Sequence, residues 1–352
     1  LRELRVLRDV SLSRHTTIGI GGPAAFFTEV SSPAEIIDAV NWADRQMLPI
    51  FVLGGGSNVL VADEGFDGLV IRIGCKGLTF KENGSDKATA EVAAGEIWDD
   101  FVKASVRQGL WGVECLSGIP GTAGGAPIQN IGAYGQDVSQ TIISVKCLDL
   151  ANLEVRELTN RECRFEYRKS IFNSDQKRRF IVLSAAFSLT RVNGSLPKYP
   201  ELAGEIESRG SSDITPMLVR QAVLAVRKRK SMVIDKNDPN SRSLGSFFKN
   251  PIVPRDQFEN IKKAFGEVPN FQTEDGIKIP AAWLIEAAGF KRGYVAGRVG
   301  LSANHSLALI NRGGATCSEL LRLRDAISKA VAEKFGIQLQ MEPELVGISG
   351  VR

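Results

Sequence analysis

The segment Trp111–Val138, WGVECLSGIPGTAGGAPIQNIGAYGQDV, holds seven glycines and only two charged residues, Glu114 and Asp137. Gly118, Gly121, Gly124, Gly125, Gly132 and Gly135 recur among small or flat residues, as expected where backbone runs close to a rigid ligand or turns through positive φ. So many glycines cost folding entropy, and a loop without a ligand is an unfavourable use of them. Pro120, Pro127 and Tyr134 restrict or flank the turns, while Thr122, Gln129 and Asn130 offer hydroxyl and amide groups to a phosphate or a polar ring edge. On composition alone, a glycine-rich surface loop between strands is the competing reading.

Working outward, Phe51–Asp63 has the same character. FVL is an apolar strand-like run, GGGSN is a turn rich in backbone amides, and VLVAD returns to strand character. Backbone N–H groups in such a nest, with the Ser57 hydroxyl and the Asn58 amide, suit a pyrophosphate. No GxxxxGK[ST] occurs, and GGGSN is followed by strand-like residues where a dinucleotide fingerprint needs a helix. A nucleotide cofactor is expected on an architecture other than the common ones.

The ordered set of motifs carries a resemblance over nearly the whole chain. RHTTIGIGG (Arg14–Gly22), VLGGGSNVL (Val52–Leu60) and SGIPGTAGGAPIQNIGAYG (Ser117–Gly135) resemble the FAD-binding segments of the UDP-N-acetylenolpyruvoylglucosamine reductases, within the vanillyl-alcohol-oxidase-like flavoproteins. FEYRKSIF (Phe165–Phe172), GSFFKNP (Gly245–Pro251) and LQMEPEL (Leu339–Leu345) resemble that family's catalytic segments in the same order. The implied fold is α+β: a two-subdomain FAD-binding fold plus a C-terminal α+β substrate-binding domain. The expected division is 1–74 joined by the tail 337–352, then 75–232, then 233–336.

The resemblance implies non-covalent FAD, NADPH as hydride donor, and UDP-N-acetylglucosamine enolpyruvate as the substrate reduced to UDP-N-acetylmuramate for peptidoglycan. It places FAD against Leu53, Gly54, Gly55, Gly56, Ser57 and Asn58, and against Gly118, Ile119, Pro120, Gly121, Thr122, Gly124, Gly125, Gln129, Asn130, Gly132, Ala133 and Tyr134. Arg168 falls on the catalytic arginine that steadies the substrate carboxylate, Ser246 on the proton donor, and Glu344 on the catalytic glutamate. Tyr167, Tyr199, Lys230, Asn250, Lys291 and His305 fall on substrate contacts, with Asn304 beside them; Tyr199 and Lys230 match the longer family type. Two departures surround the arginine: the family often has Gly where this chain has Glu166, and Asp where it has Lys169. The connector SMVIDKNDPNSRSL is longer than usual.

Each of these residues also has an ordinary reading. Arg168 beside Tyr167 is the pattern of a surface arginine packed on a ring, Ser246 that of a turn serine, and Glu342 and Glu344 those of surface carboxylates. His305 reads as a packed or hydrogen-bonded histidine. Other members of the same flavoprotein group, acting on an alcohol or a 2-hydroxy acid, share such glycine segments, and a flavin-free nucleotide-binding module is a different class altogether. GSFFKNP and the terminal PEL favour the reductase, and no GxSxG elbow supports a hydrolase.

Composition is compatible with this. A chain of 352 residues, 43% hydrophobic and 24% charged, divides into two or three ordinary domains. No apolar run of about 18 residues suggests a membrane span, and the charged start LRELRVLRDVSLSRH lacks the apolar stretch of a secretory signal. A cytoplasmic monomer is expected. A net charge of +4, with only two short basic runs, Lys177–Arg179 and Arg227–Lys230, gives no case for nucleic acid. Five scattered cysteines without CxxC and two histidines give no metal site; the cysteines read as buried free thiols, with Cys115 the one placed near the cofactor segment.

Periodicity predicts strands at Ala25–Val30, Pro49–Leu53, Leu69–Ile73, Ala88–Ala93, Thr141–Asp149, Glu154–Thr159 and Phe180–Leu189. It predicts helices at Ala34–Gln46 (capped by Ser32, with Pro33 in the first turn), Glu96–Gln108, Thr215–Lys230, Trp283–Ala288 and Ser318–Phe335. In the second helix Ile97, Phe101 and Ala104, widened by Trp98 and Val102, form the expected core stripe. Ser195–Pro216 reads as a polar hinge, and GRVGLSANHSLALIN as a loop followed by a buried strand.

Overall fold

The computed structural model describes residues 4–192, 199–211 and 213–348. Over the described residues the chain forms two compact units: Leu1–Val10, Ala24–Gly56 and Asp67–Val233 in the first, and Ser11–Pro23, Ser57–Phe66 and Ile234–Arg352 in the second.

The first unit is built on two sheets. One has four strands in the order Leu7–Ser11, Pro23–Val30, Phe66–Ile73, Ile50–Leu53, the last two parallel with Leu53 opposite Arg72. Helix α1 (Pro33–Arg45) starts as its residues dictate: the Ser32 hydroxyl accepts the Glu35 amide at 3.2 Å, and the Glu35 carboxylate reaches back to the Ser31 amide at 2.6 Å. The other sheet is antiparallel, in the order Glu154–Thr159, Ile142–Asp149, Phe180–Thr190, Lys87–Ala93, Leu78–Glu82. Its edge strand Leu78–Glu82 was not expected; three of its five residues are exposed, so it lacks the apolar run that marks the others.

Helix α2 (Trp98–Arg107) packs Trp98 and Phe101 with Phe187 of that sheet, ring centroids 4.9 to 5.8 Å apart. The expected stripe is corrected at its edge. Ile97 is extended and 52% exposed because the helix starts one residue later, and Ser105 and Val106 complete the buried face, the Ser105 hydroxyl bonding the Phe101 carbonyl at 3.0 Å. Helix α3 is the short turn Gly125–Ile128.

The expected hinge contains a helix, α4 (Pro200–Glu207), with Pro200 in its first turn and Leu202 and Ile206 buried against Val219 and Val223 of α5 (Pro216–Arg229). Its eight residues are too few for a periodic signal among turn formers. Residues 195–198 and 212 of that expected hinge lie outside the described residues.

The second unit packs helices α6 (Arg255–Phe265), α7 (Ala281–Ala287) and α8 (Cys317–Phe335) on small sheets. The segment expected as one loop and one strand forms two antiparallel strands, Val299–Leu301 and Leu309–Asn311; three residues each is too short for alternation to show. The C-terminal strand Glu344–Val346 pairs in parallel with Val59–Val61, Glu344 opposite Val59. Helix α8 is capped twice: Thr316 and Glu319 form a capping box, and Asp63 accepts the amides of Cys317 and Ser318 at 2.6 and 2.9 Å. Burial works to raise the Asp63 pKa and is outweighed by the Ser318 and Cys317 hydrogen bonds, which hold it below the usual carboxylate range.

Candidate functional site

In the first unit the two glycine-rich stretches meet. A Cβ on Gly55 would lie 2.7 Å from Gly121 Cα, and one on Gly54 would lie 2.8 Å from Thr122 Oγ1, so a side chain at either position would force the two loops apart. The amides of Gly55 and Gly56 have no acceptor in the chain among the described residues, and Gly56 is buried. Gly55 is exposed, but the buried Gly56 amide needs an acceptor from elsewhere.

The longer segment is held from beneath by α2. Trp98 donates its indole N–H to Leu116 O at 3.0 Å and its amide to Gly121 O at 3.1 Å. Ala123 and Gly124 donate to Glu96 O and Ala94 O. Gly124 and Gly125 then differ in kind. A Cβ on Gly124 would sit 2.6 Å from Ala94 Cβ, whereas one on Gly125 meets nothing within 4 Å. Gly124 is required by the protein's own packing, and Gly125 borders open space.

Gly132–Ala133 and Gln136–Asp137 pair around Tyr134 and Gly135, both at positive φ (53° and 84°), which makes a two-residue type I′ hairpin. Its carbonyls hold the expected catalytic arginine: Arg168 Nη2 donates to Gly132 O at 2.7 Å and Nη1 to Asn130 O at 3.4 Å, with the guanidinium 5.3 Å from the Tyr167 ring centroid. The Asn130 side chain, expected at the cofactor, is engaged by the chain, donating to Glu166 O at 2.9 Å and accepting the Ser139 amide at 3.1 Å. The two unusual residues flanking this turn compensate one another, since Glu166 and Lys169 exchange backbone hydrogen bonds and pair through their side chains at 3.0 Å.

Tyr134 also meets Tyr199 edge to face, with centroids 5.4 Å apart, and burial raises its pKa to about 12, opposed by the nearby Arg227. Lys230, at the end of α5, pairs with Glu201 of α4, one residue beyond Pro200. Tyr199 and Lys230 therefore belong to one cluster with Tyr134. Cys115 is buried, and burial followed by the charge of Glu114 pushes its thiol far above the ordinary value, so it is a poor nucleophile.

In the second unit the segment Gly245–Asn250 runs between two others. Gly245 is left-handed at φ 73°, and Phe247 donates to Leu307 O at 2.8 Å and accepts the Glu342 amide at 2.9 Å. Lys249 donates to Gln340 O at 2.9 Å. Phe247 and Phe248 are fully buried, leaving Ser246 half-buried between the chain carrying His305 and that carrying Glu344. Pro343 ends the strand geometry, so only Glu344 lies in the terminal strand and Glu342 stands outside it. Asn250 accepts the Ala281 amide at 2.9 Å, capping α7. Lys291 opens a turn whose Gly293 amide donates to Ser302 O at 3.1 Å, which brings it near the loop bearing Asn304 and His305.

Sequence reasoning missed Asp99 and Arg220. Their two-point ion pair, at 2.6 and 2.7 Å, joins residues 121 positions apart, and Asp99 also accepts the Gly118 amide at 2.6 Å. Burial works to raise the Asp99 pKa, but the Arg220 and Gly118 hydrogen bonds outweigh it and hold the carboxyl below its ordinary value. No sequence spacing signals a pair so far apart.

Comparison with known proteins shows the family. A family model for the FAD binding domain matches residues 24–159, and one for the UDP-N-acetylenolpyruvoylglucosamine reductase C-terminal domain matches residues 238–346. The UDP-N-acetylenolpyruvoylglucosamine reductase of Thermobifida fusca is 46% identical over 351 residues, covering 97% of this chain and 98% of that protein. That of Streptomyces coelicolor is 41% identical over 359 residues, covering 99% and 92%. The crystal structure of the enzyme from Thermus caldophilus superposes with a TM-score of 0.66 at 26% identity, covering 98% of this chain and all of that one. The fold is accordingly the FAD-binding fold of the vanillyl-alcohol-oxidase-like type with a substrate-binding domain, and the chain belongs to the UDP-N-acetylenolpyruvoylglucosamine reductase family.

Proposed function

We propose that the protein reduces UDP-N-acetylglucosamine enolpyruvate to UDP-N-acetylmuramate with NADPH, through non-covalently bound FAD, in peptidoglycan precursor synthesis. The observation that carries this reading is the 46% identity over 97% of the chain to a protein of that activity. The residues present fit the cofactor: two glycine loops in contact, the amides of Gly55 and Gly56 without an acceptor in the described chain, and open space at Gly125.

When bound, the flavin supplies hydride transfer from NADPH to the enolpyruvyl double bond. The chain's own residues do the rest. Arg168, its guanidinium oriented by the Gly132 and Asn130 carbonyls, faces the substrate carboxylate and stabilises the negative charge that grows there. Glu344, as the protonated acid, assists by donating a hydrogen bond to that charge. Ser246, fixed by the buried rings that follow it, gives its proton to the carbon next to the carboxylate. Tyr199 and Lys230 hold the nucleotide end, with Lys230 exchanging Glu201 for the substrate diphosphate; Tyr167, Asn250, Lys291 and His305 complete the substrate contacts. We place the protein in the cytoplasm as a monomer; its five buried, unpaired thiols suit a reducing compartment.

The test is purification followed by assay. A yellow protein that oxidises NADPH beyond one equivalent per flavin only when the enolpyruvyl substrate is added, yielding the reduced product by mass spectrometry, supports the reading. A colourless protein that takes up no flavin contradicts it.

A further inference from the structure

The Asp99–Arg220 pair touches nothing that the proposed chemistry uses, yet it ends on the cofactor segment. Arg220 is only 7% exposed, so its charge is stabilised chiefly by Asp99, and the same Asp99 oxygen that receives Arg220 Nη1 accepts the Gly118 amide. Gly118 is left-handed at φ 71°, and a Cβ there would lie 2.8 Å from Leu224 Cδ2, one turn farther along α5. Two successive turns of α5 thus fix the first glycine of the segment. Two turns from Arg220, the charge of buried Arg227 acts on Tyr134 at the segment's far end. One helix therefore spans both ends of the stretch that the proposed function assigns to FAD.

We propose that Asp99 and Arg220 are positioning residues for FAD: their pair sets the backbone path of Gly118–Thr122, and through the Gly55–Gly121 contact the spacing of the two loops that receive the dinucleotide. The inference rests on the reading that these loops bind FAD. Without the Asp99 carboxylate the Gly118 amide loses a charge-assisted acceptor, and its left-handed turn is no longer specified against other conformations. A purely stabilising ion pair makes a different forecast, because apolar residues of similar volume often replace such a pair without loss of stability.

The experiment strips FAD from the full-length wild type and from two double variants, Asp99→Leu with Arg220→Met and Asp99→Asn with Arg220→Gln, and measures FAD Kd by fluorescence titration alongside the apo-protein melting temperature. The expected result is an FAD Kd raised at least tenfold in each variant that melts cooperatively, even where the melting temperature has returned to the wild-type value. An FAD Kd within twofold of wild type in either folded variant overturns the proposal and leaves the pair a stabilising element. A wild-type apo-protein that takes up no FAD overturns instead the assignment of the loops.

Discussion

The amide of Glu344 donates to the carbonyl of Asn58 at 2.9 Å, and the side-chain amide of Asn58 donates in turn to the carbonyl of Glu342 at 3.2 Å. One residue, directly after the GGGS turn, thereby fixes both ends of the Glu342–Glu344 step from 284 positions away in the chain. Asn58→Asp keeps the size but replaces the donor with a carboxylate facing a carbonyl. The expected outcome is a loss of about 1–3 kcal/mol in stability and a fall in kcat larger than any rise in KM, read by denaturant titration and steady-state kinetics. An unchanged kcat would detach Glu344 from the chemistry.

The turn that follows is closed by backbone contact. A Cβ on Gly347, at φ 77°, would lie 1.8 Å from Gly65 O, and one on Gly65 would lie 1.8 Å from Pro23 O. Gly347→Ala should cost roughly 2–4 kcal/mol. Gly84→Ala, also at positive φ but with nothing within 4 Å, should cost only about 1 kcal/mol. Equal melting temperatures for the two variants would contradict the contact.

Gly124 and Gly125, adjacent and alike in sequence, separate cofactor binding from folding. Gly124→Val strikes Ala94 and should lower the melting temperature of the apo-protein. Gly125→Val leaves that temperature nearly unchanged and raises the FAD Kd at least tenfold, since only the cofactor would occupy the space beside it. Full FAD uptake by Gly125→Val would remove this position from the cofactor site.

Acid sensitivity has a definite sign at Asp149. Hydrogen bonds from Arg179, at 3.0 and 2.8 Å, hold its carboxyl at about 2 although burial opposes them. The folded value lies below the unfolded value of about 4. Its contribution is therefore complete above that unfolded value and is lost as pH falls through about 2. Asp149→Asn should melt below wild type at pH 7, and the gap should close on acidification toward pH 2. A gap that widens in acid would contradict this.

Much of this was legible from residues alone. The Ser32 cap, the glycine stretches and the alternating strands announce themselves because capping, positive φ and period-two burial are local properties. What stayed hidden was short or distant. Helix α4 has too few residues for a period, and the strand Leu78–Glu82 has an exposed face. Asp99 and Arg220 look like any two charged helical residues until the fold brings them together. Motif order gave the family and the expected catalytic residues. The distinction between Gly124 and Gly125 needed Ala94 in place.

The central claim is most directly tested by anaerobic stopped-flow absorbance on the FAD-loaded protein. NADPH should bleach the flavin in the wild type and in Ser246→Ala at similar rates, because the serine has no part in that half-reaction. The enolpyruvyl substrate should then restore the colour rapidly in the wild type and about 10²- to 10⁴-fold more slowly in the variant, the usual worth of a general acid. A wild-type flavin that NADPH reduces but the enolpyruvyl substrate never reoxidises would contradict the account.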